Sequence, residues 1–429
     1  MKKIFTSQLD KKIGKKVRIE GWVHDIRLLG GIAFVLLRDK DGIVQVTASK
    51  KKLGKEILKE IEKLHQEDVI RVEGKVVRSK IAKRGIEIIP SKIEIISKSK
   101  SVLPLDPRGI TKTNLDTQLD WRFLYFRTEE GRSIFRIQTQ IVNAFRKFFL
   151  ERGFIEMQPP CIIASASEGG AELFPLPYFE KKAYLAQSPQ LYKQMGAISF
   201  ERVFMVVPVF RAEKFDQPTH LNEIRQMDVE IAFADYEDAM RVLEECLVFI
   251  LKEVKKDCKK ELEILNQKLR IPKIPFKKVT YEQAIEFLRK KGEEIEWGED
   301  FSKTQEKMLG DNFGEAFFII DWPSELKPFY AMPKEENPKI CKAFDLIYKG
   351  LEISSGTQRI HDPELLIKRL KEKGLNPEKF KSYIDAFRYG APYHSGWSIG
   401  LERLTMKITG RKNIREVTMF PRDRKRITP

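Results

Sequence analysis

Residues 203–232 read VFMVVPVFRAEKFDQPTHLNEIRQMDVEIA. The first eight form an unbroken apolar run rich in valine and phenylalanine, which reads as a buried strand. A polar stretch carrying Pro218 follows, and MDVEIAFA (227–234) is a second apolar strand that bears two acids, Asp228 and Glu230. Outward from this pair, AFFIIDWP (316–323) and AFDLIYKGLEISSG (343–356) read as further strands. RSIFRIQTQIVNAFRKFFLERG (132–153) has helical periodicity and stops at Gly153, and EDAMRVLEECLVFILKEVKKD (237–257) is a second amphipathic helix. The order lacks a regular β-α-β alternation, so the body of the chain is expected to be a predominantly antiparallel sheet flanked by helices. A proline-punctuated connector, VLPLDPRG (102–109), separates it from what precedes.

The N-terminal stretch has another character. Residues 15–27 alternate, residues 31–48 form a hairpin turning at Asp41-Gly42, residues 51–66 form a short amphipathic helix, and 68–79 and 85–97 are two more strands. Five strands with a helix before the fourth fit a small OB-type barrel, a fold that binds single-stranded nucleic acid with stacked aromatics in a basic groove. Charge agrees. The chain of 429 residues carries 79 basic and 62 acidic residues, a net +17, and residues 1–100 hold 25 basic against 13 acidic. The expected division is an α+β, multi-domain chain, with the barrel over 1–103, a hinge over 104–130 and the sheet domain over 131–429. No apolar run reaches a membrane span and the N-terminus lacks an apolar signal core. The four cysteines, Cys161, Cys246, Cys258 and Cys341, form no CxxC pair, so a reducing, cytoplasmic setting is expected.

There is no P-loop and no dinucleotide-binding glycine fingerprint. Charged residues instead occupy strand contexts: Arg211, Glu213, Asp228, Glu230, Asp345, Glu352, Arg359 and Arg403. Charges in apolar strands are costly unless paired or metal-bound. Each alone reads as a structural ion pair; together they suggest a sheet-built pocket for a polyphosphate with Mg2+.

Three long segments carry a resemblance. FIEMQPPCIIASASEGGAELFP (154–175), VFRAEKFDQPTHLNE (209–223) and GWSIGLERL (396–404) are similar to motifs 1, 2 and 3 of class II aminoacyl-tRNA synthetases. QSPQLYKQM (187–195), MDVEIAFADYEDAM (227–240), GLEISSGTQRIH (350–361) and the tail FPRDRKRITP narrow it to the archaeal-type aspartyl-tRNA synthetases, over essentially the whole chain. The resemblance implies activation of aspartate with ATP and Mg2+, then transfer to the 3′-terminal adenosine of tRNA(Asp). It also implies roles. Glu168 would close over the amino group; Ser188, Gln190, Lys193, Asp228, Ser355 and Arg359 would bind aspartate, with Lys193 and Arg359 clamping its side-chain carboxylate. Arg211 would bridge the aspartate carboxylate and the α-phosphate, and Arg403 would lie against adenine and the γ-phosphate. Glu213, His220, Leu221, Glu352 and Gly400 would complete the ATP site, and Asp345, Glu352 and Ser355 would hold the metal. Pro160 would lie at a homodimer interface. On the barrel, Phe34 would stack on the middle anticodon base, with Arg27, Gln45 and Glu87 binding the anticodon loop.

Selection of aspartate over asparagine is expected to rest on Lys193 and Arg359, two buried cations that a neutral amide would leave short of counter-charge. Motif 3 departs from the family in Ser395 and Ser398, where glycines are usual, and the two hydroxyls are expected to narrow the ATP pocket. Ile224 stands where bacterial relatives stack a phenylalanine on adenine, and the stretch after QSPQLYK is one residue short. Enzymes of this type either charge tRNA(Asp) alone or also charge tRNA(Asn) for a later amidotransferase. His24 implies the relaxed kind and the proline-free loop at Lys83 the strict kind; the balance falls on relaxed. The rivals are an asparaginyl-tRNA synthetase and a non-catalytic tRNA-binding paralogue, the second opposed by the presence of Arg211, Asp345, Glu352 and Arg403.

Overall fold

The computed structural model describes residues 2–165, 173–214 and 217–429, in two compact units, Met1–Thr128 and Glu129–Pro429. In the first, β1 (Lys16–Leu29), β2 (Ile32–Arg38), β3 (Ile43–Ser49), β4 (Val69–Arg78) and β5 (Ile86–Ser97) close into a barrel in the order β1-β2-β3-β5-β4. Alternation produces closure: Val17, Ile19, Val35, Val46, Val72 and Ile88 point inward and are buried, while their polar neighbours face out. The β2–β3 turn forms where DKDG stands, with Asp39 Oδ1 accepting from the backbone N–H of Asp41 at 2.8 Å and of Gly42 at 3.1 Å. The helix before β4 spans Lys50–Glu62, ending earlier than its periodicity suggests. The stretch expected to be a hinge carries two short helices, Leu115–Asp120 and Arg122–Tyr125.

The second unit is organised by one eight-stranded sheet. Its strands are β6 (Ile155–Glu156), β10 (Arg202–Phe210), β11 (Glu223–Ala232), β12 (Lys277–Thr280), β13 (Ala316–Pro323), β14 (Ile340–Tyr348), β15 (Glu352–Arg359) and β16 (His394–Gly400). Their order is β12-β13-β14-β15-β16-β11-β10-β6, antiparallel except for the pairs at each edge, β12–β13 and β10–β6. A smaller sheet joins β7 (Ile162–Ile163), β8 (Pro175–Tyr178) and β9 (Lys181–Leu185). One face of the large sheet is covered by the helix Glu129–Leu150. Phe145 and Phe149 pack on Phe204 of β10 and Trp397 of β16, with ring centroids 5.5–6.3 Å apart. Residues alternating with these point to the opposite face, which holds the polar cavity. Among the described residues, no helix is long and apolar enough to cross a membrane.

Candidate active site

Strand register assembles the site. Residues directly opposite in an antiparallel ladder project from the same face. Asp345 on β14 faces Ser355 on β15, Ser355 faces Ser398 on β16, and Ser398 faces Asp228 on β11. A row two residues away aligns Ala343, Thr357, Gly396 and Glu230 across the same strands. Four segments far apart in the chain thus form a polar grid, which floors a cavity of about 310 Å3. Gly396 is required there, because a Cβ would lie 2.0 Å from Glu230 Oε2.

One part of the cavity is a buried quartet of charges. Lys193, from the helix Gln190–Phe200, places Nζ 2.9 Å from Asp228 Oδ1 and 3.4 Å from Glu230 Oε2. Arg359 donates to both Glu230 oxygens, from Nε at 2.8 Å and Nη2 at 3.0 Å, and from Nη1 to Thr357 Oγ1 at 2.7 Å. Ser398 Oγ donates to Asp228 Oδ2 at 3.2 Å. All four charged groups are essentially inaccessible. Burial would raise the Glu230 pKa, but Arg359 and Lys193 outweigh it and hold the carboxyl below the ordinary range. Two cations therefore meet two anions. This corrects the expectation that a neutral amide would leave Lys193 and Arg359 short of counter-charge: Asp228 and Glu230 already supply it. Behind the quartet, His394 Nδ1 donates to the Pro392 carbonyl at 2.8 Å, so Nε2 accepts from Gln194 at 2.9 Å. Gln190 Nε2 and the Tyr383 hydroxyl both donate to Gln194 Oε1 at 2.8 Å.

A second cluster contains the remaining acids. Asp345 Oδ2 is 2.7 Å from Lys327 Nζ, and its Oδ1 is buried without a hydrogen-bond partner. Burial, reinforced by Glu352, raises the Asp345 pKa to about 6. Glu352 would also be raised by burial, but Arg403, Lys303, Lys327 and Arg211 hold it below the ordinary range. Arg403 Nη1 donates to the Glu352 carbonyl at 3.1 Å and approaches Oε1 at 3.6 Å. Arg403 Nη2 lies 3.4 Å from His220 Nε2. Burial, then Arg403, Lys303 and Arg211, depress the His220 pKa to about 4, so the neutral ring accepts from the guanidinium. An orphaned carboxylate oxygen beside a second carboxylate fits a hard divalent cation.

Of the residues singled out in the sequence, Ser188, Gln190, Lys193, Arg211, Glu213, His220, Leu221, Asp228, Asp345, Glu352, Ser355, Arg359, Gly400 and Arg403 all line this one cavity, as does Ile224. Asn222 braces the start of the 211–222 loop, its Nδ2 donating to the carbonyls of Arg211 at 2.7 Å and Glu213 at 2.9 Å. Glu168 lies outside the described residues. Pro160 is exposed, close in sequence to the exposed Leu150, Ile155 and Ile162. Ser398 lines the cavity, but Ser395 does not narrow it: its hydroxyl turns away to the Ala234 carbonyl at 2.9 Å. Glu402 and Lys327, which line the cavity, and Glu230, which pairs with two lining cations, carry no role in the sequence reading. Glu230 was legible in principle, two residues from Asp228 on one strand face. Glu402 is buried under the backbone N–H of Arg225, and burial raises its pKa to about 7. Lys327 lies in a loop without a motif.

The barrel gathers a second set. Arg27 faces Phe34 across β1–β2, Phe34 faces Thr47 across β2–β3, and Gln45 faces Glu87 across β3–β5. Gln45 Nε2 at 2.9 Å and Thr47 Oγ1 at 2.7 Å both donate to Glu87 Oε2, and Phe34 stays half-exposed beside them. His24 sits at the β1 bulge. Its Nδ1 lies 3.1 Å from Arg38 Nη1; arginine only donates, so the proton of the neutral ring is on Nε2. Arg38 is buried and paired with Glu67 at 2.7 Å, and Arg127 meets the same oxygen at 2.9 Å. Burial, then Arg38, keeps His24 below the ordinary imidazole pKa. Lys83 is exposed on the β4–β5 loop.

An antiparallel sheet carrying this grid, in a chain that also holds a five-stranded barrel, defines a class II synthetase. Residues 114–424 match the family model for class II tRNA synthetases (D, K and N), and residues 17–96 match that for the OB-fold nucleic acid binding domain. The chain belongs to the class II tRNA synthetases of the D, K and N group. It is 52% identical to the aspartate–tRNA(Asp/Asn) ligase of Methanopyrus kandleri, over 97% of this chain and 96% of that one. It is 50% identical to the aspartate–tRNA(Asp) ligase of Pyrococcus abyssi, over 99% of each. Among solved structures it is similar to the asparaginyl-tRNA synthetase of Pyrococcus horikoshii complexed with asparaginyl-adenylate, with a TM-score of 0.95, 33% identity and full coverage of both chains.

Proposed function

We propose that the chain is a cytoplasmic, homodimeric aspartyl-tRNA synthetase that charges tRNA(Asp) and also tRNA(Asn). It joins L-aspartate to ATP, releasing pyrophosphate, and passes the aspartyl group to the terminal ribose of the tRNA. The observation that carries this reading is the donor-only pair Lys193 and Arg359, buried in the cavity that Arg211 and Arg403 also line. A carboxylate can accept, through either oxygen, from the N–H groups of this pair that the protein leaves open, whereas an amide NH2 turned toward them cannot. Higher identity to the aspartate ligases than to the asparaginyl enzyme supports the same choice.

The reaction brings a carboxylate against a phosphate, two anions. Arg211 and Arg403 are fixed donors aimed at the charge that builds up, so positioning and electrostatics serve where no protein nucleophile is needed. Asp345, Glu352 and Ser355 would hold Mg2+, which when bound supplies Lewis-acid polarisation of the phosphate oxygens. Neutral His220 accepts from Arg403 and so holds that guanidinium in the cavity. Exposed Pro160 and its apolar neighbours supply the dimer surface. On the barrel, Phe34 stacks a base, and His24 offers an Nε2–H donor. Cytosine and uracil both carry an O2 acceptor, so this donor serves either third anticodon base and supports relaxed reading, which pairs such an enzyme with an amidotransferase.

The test is charging of separate tRNA(Asp) and tRNA(Asn) transcripts with radiolabelled aspartate. Comparable charging of both is expected. Charging of tRNA(Asp) alone refutes relaxed reading, and ATP–pyrophosphate exchange with asparagine but not aspartate refutes the aspartyl assignment.

A further inference from the structure

A second cavity, of about 540 Å3, opens beside the first. Its walls are the helix Lys303–Phe313, the turn between β14 and β15, and the helix Leu401–Thr409 with the residues after it. Six cationic residues line it, Lys303, Lys307, Lys349, Lys407, Arg411 and Lys412, against only Asp311 and Glu315. The walls are drawn together by a glycine contact: a Cβ on Gly310 would lie 2.8 Å from the Cα of Gly350, itself at φ +67°. This seats Lys349 between the two helices, where its Nζ donates to the Lys407 carbonyl at 3.3 Å and reaches Glu315 at 3.8 Å.

The charges are not balanced locally. Arg411 is held by Glu130 and Lys303 by Glu306. Lys407 is half-buried and has no carboxylate within salt-bridge reach among the described residues. Burial, joined by Lys349, Lys303 and Lys307, draws its pKa below the ordinary lysine range, and Glu306 opposes them. Like charges gathered in a concave, partly desolvated site repel, and a multivalent anion relieves that repulsion while accepting several charge-assisted hydrogen bonds.

The cavity adjoins the active site. Thr219 lines both, and its hydroxyl lies 3.1 Å from His220 Nδ1. Glu306, the partner of Lys303, accepts the backbone N–H of Glu352 at 2.9 Å. The basic lining therefore begins where the acids and Arg403 of the reaction site end. We propose that this cavity is a second oligophosphate site, which takes up the inorganic pyrophosphate leaving the reaction centre. The inference rests on the synthetase reading above. There an aspartate oxygen bonds to the α-phosphorus, the bond from that phosphorus to the bridging oxygen breaks, and its electron pair departs on pyrophosphate. Concavity and adjacency to the nucleotide side favour a small, detached polyphosphate over an RNA backbone, which would need an open stripe.

The experiment uses the full chain and pyrophosphate itself. In wild-type enzyme, mass-spectrometric mapping of limited lysine acetylation, with the active site saturated by a non-hydrolysable ATP analogue, should show Lys407 protected by added pyrophosphate. In K307Q/K407Q, the product-inhibition constant for pyrophosphate should rise about tenfold, while the KM for ATP and the KM for tRNA stay within about twofold. The proposal is overturned if Lys407 labels equally with and without pyrophosphate, or if inhibition is unchanged. A tRNA KM that rises alone would assign the cavity to RNA instead. Failure of the aspartyl reading shows separately, as absence of aspartate-dependent exchange, and leaves the protection result standing.

Discussion

Glu230→Gln isolates the quartet. Glu230 is wholly inaccessible, accepts two N–H groups from Arg359 at 2.8 and 3.0 Å, and lies 3.4 Å from Lys193. Removing one partner of a buried ion pair costs about 3–5 kcal/mol, because the other charge stays buried without compensation. Glutamine keeps one acceptor oxygen, so the loss should fall near the lower end, about 3 kcal/mol. Unfolding entropy is about 2.1 cal/mol/K per residue near 60 °C. For the unit Glu129–Pro429 that amounts to roughly 0.6 kcal/mol/K, so Tm should fall by about 5 °C. A second effect follows from the charge count. In the wild type, an incoming side-chain carboxylate meets a neutral quartet; in the variant it meets one uncompensated positive charge. Aspartate, but not asparagine, should therefore raise Tm more in the variant than in the wild type. Differential scanning calorimetry with and without each amino acid measures both. A Tm within about 1 °C of wild type, together with equal aspartate shifts in the two proteins, would refute the electrostatic coupling of Glu230 to Arg359 and Lys193.

Lys193→Met removes a charged donor, a loss of about 1.5–3 kcal/mol; kcat/KM for aspartate in ATP–pyrophosphate exchange should fall by one to two orders of magnitude, with the KM for ATP unchanged. Phe34→Ala should raise the KM for tRNA by about 5- to 150-fold, at 1–3 kcal/mol per stacked base, and leave tRNA-independent exchange untouched; a loss of exchange would place Phe34 in the folding of the barrel instead. Glu402, with a pKa raised to about 7 in the fold, binds a proton that the unfolded chain releases above its ordinary value of 4.5. Its stabilising contribution is complete below that value and is lost as pH rises through 7. Glu402→Gln should therefore flatten the stability profile between pH 5 and 8 and gain relative to wild type at the alkaline end, by up to about 3 kcal/mol; parallel profiles in urea titrations would refute the buried-acid reading.

Much of this architecture was legible in residue order, for reasons that differ by element. The barrel strands alternate because one face of each is buried, and that period is visible in any eight residues. The strands of the large sheet read as apolar runs, since helices cover one face, and the charges interrupting them marked the cavity. What residue order does not carry is register. Asp345, Ser355, Ser398 and Asp228 share one row only because four strands align without slipping, and a shift of one residue would turn every one of them to the helix-covered face. For the same reason Glu230 stood in plain view as a strand charge while its partner, Arg359, lay 129 positions away. Lys327 had no signal at all: it is drawn in by the Trp322 ring, 4.0 Å from its ammonium, and by Asp345.

The quartet also changes what can select the amino acid. Two uncompensated cations would reject a neutral amide by charge alone. A balanced quartet cannot, since it has no net demand for an anion. What remains is directional. Lys193 and Arg359 have only donors to offer, so a carboxylate placed against them satisfies N–H groups on both oxygens, while an amide satisfies them on one and sets its own N–H2 against donors. The amide would be rescued only by an acceptor turned toward it, and Asp228 is the nearest group able to turn: it accepts from Ser398 through Oδ2 and from Lys193 through Oδ1. Ser398, one of the two positions departing from the expected glycine, thereby holds Asp228 in the orientation that denies the amide an acceptor. Ser398→Gly should loosen Asp228 and lower the ratio of aspartate to asparagine in ATP–pyrophosphate exchange by about the worth of one charged hydrogen bond, roughly tenfold. An unchanged ratio would show that Ser398 does not set the orientation of Asp228.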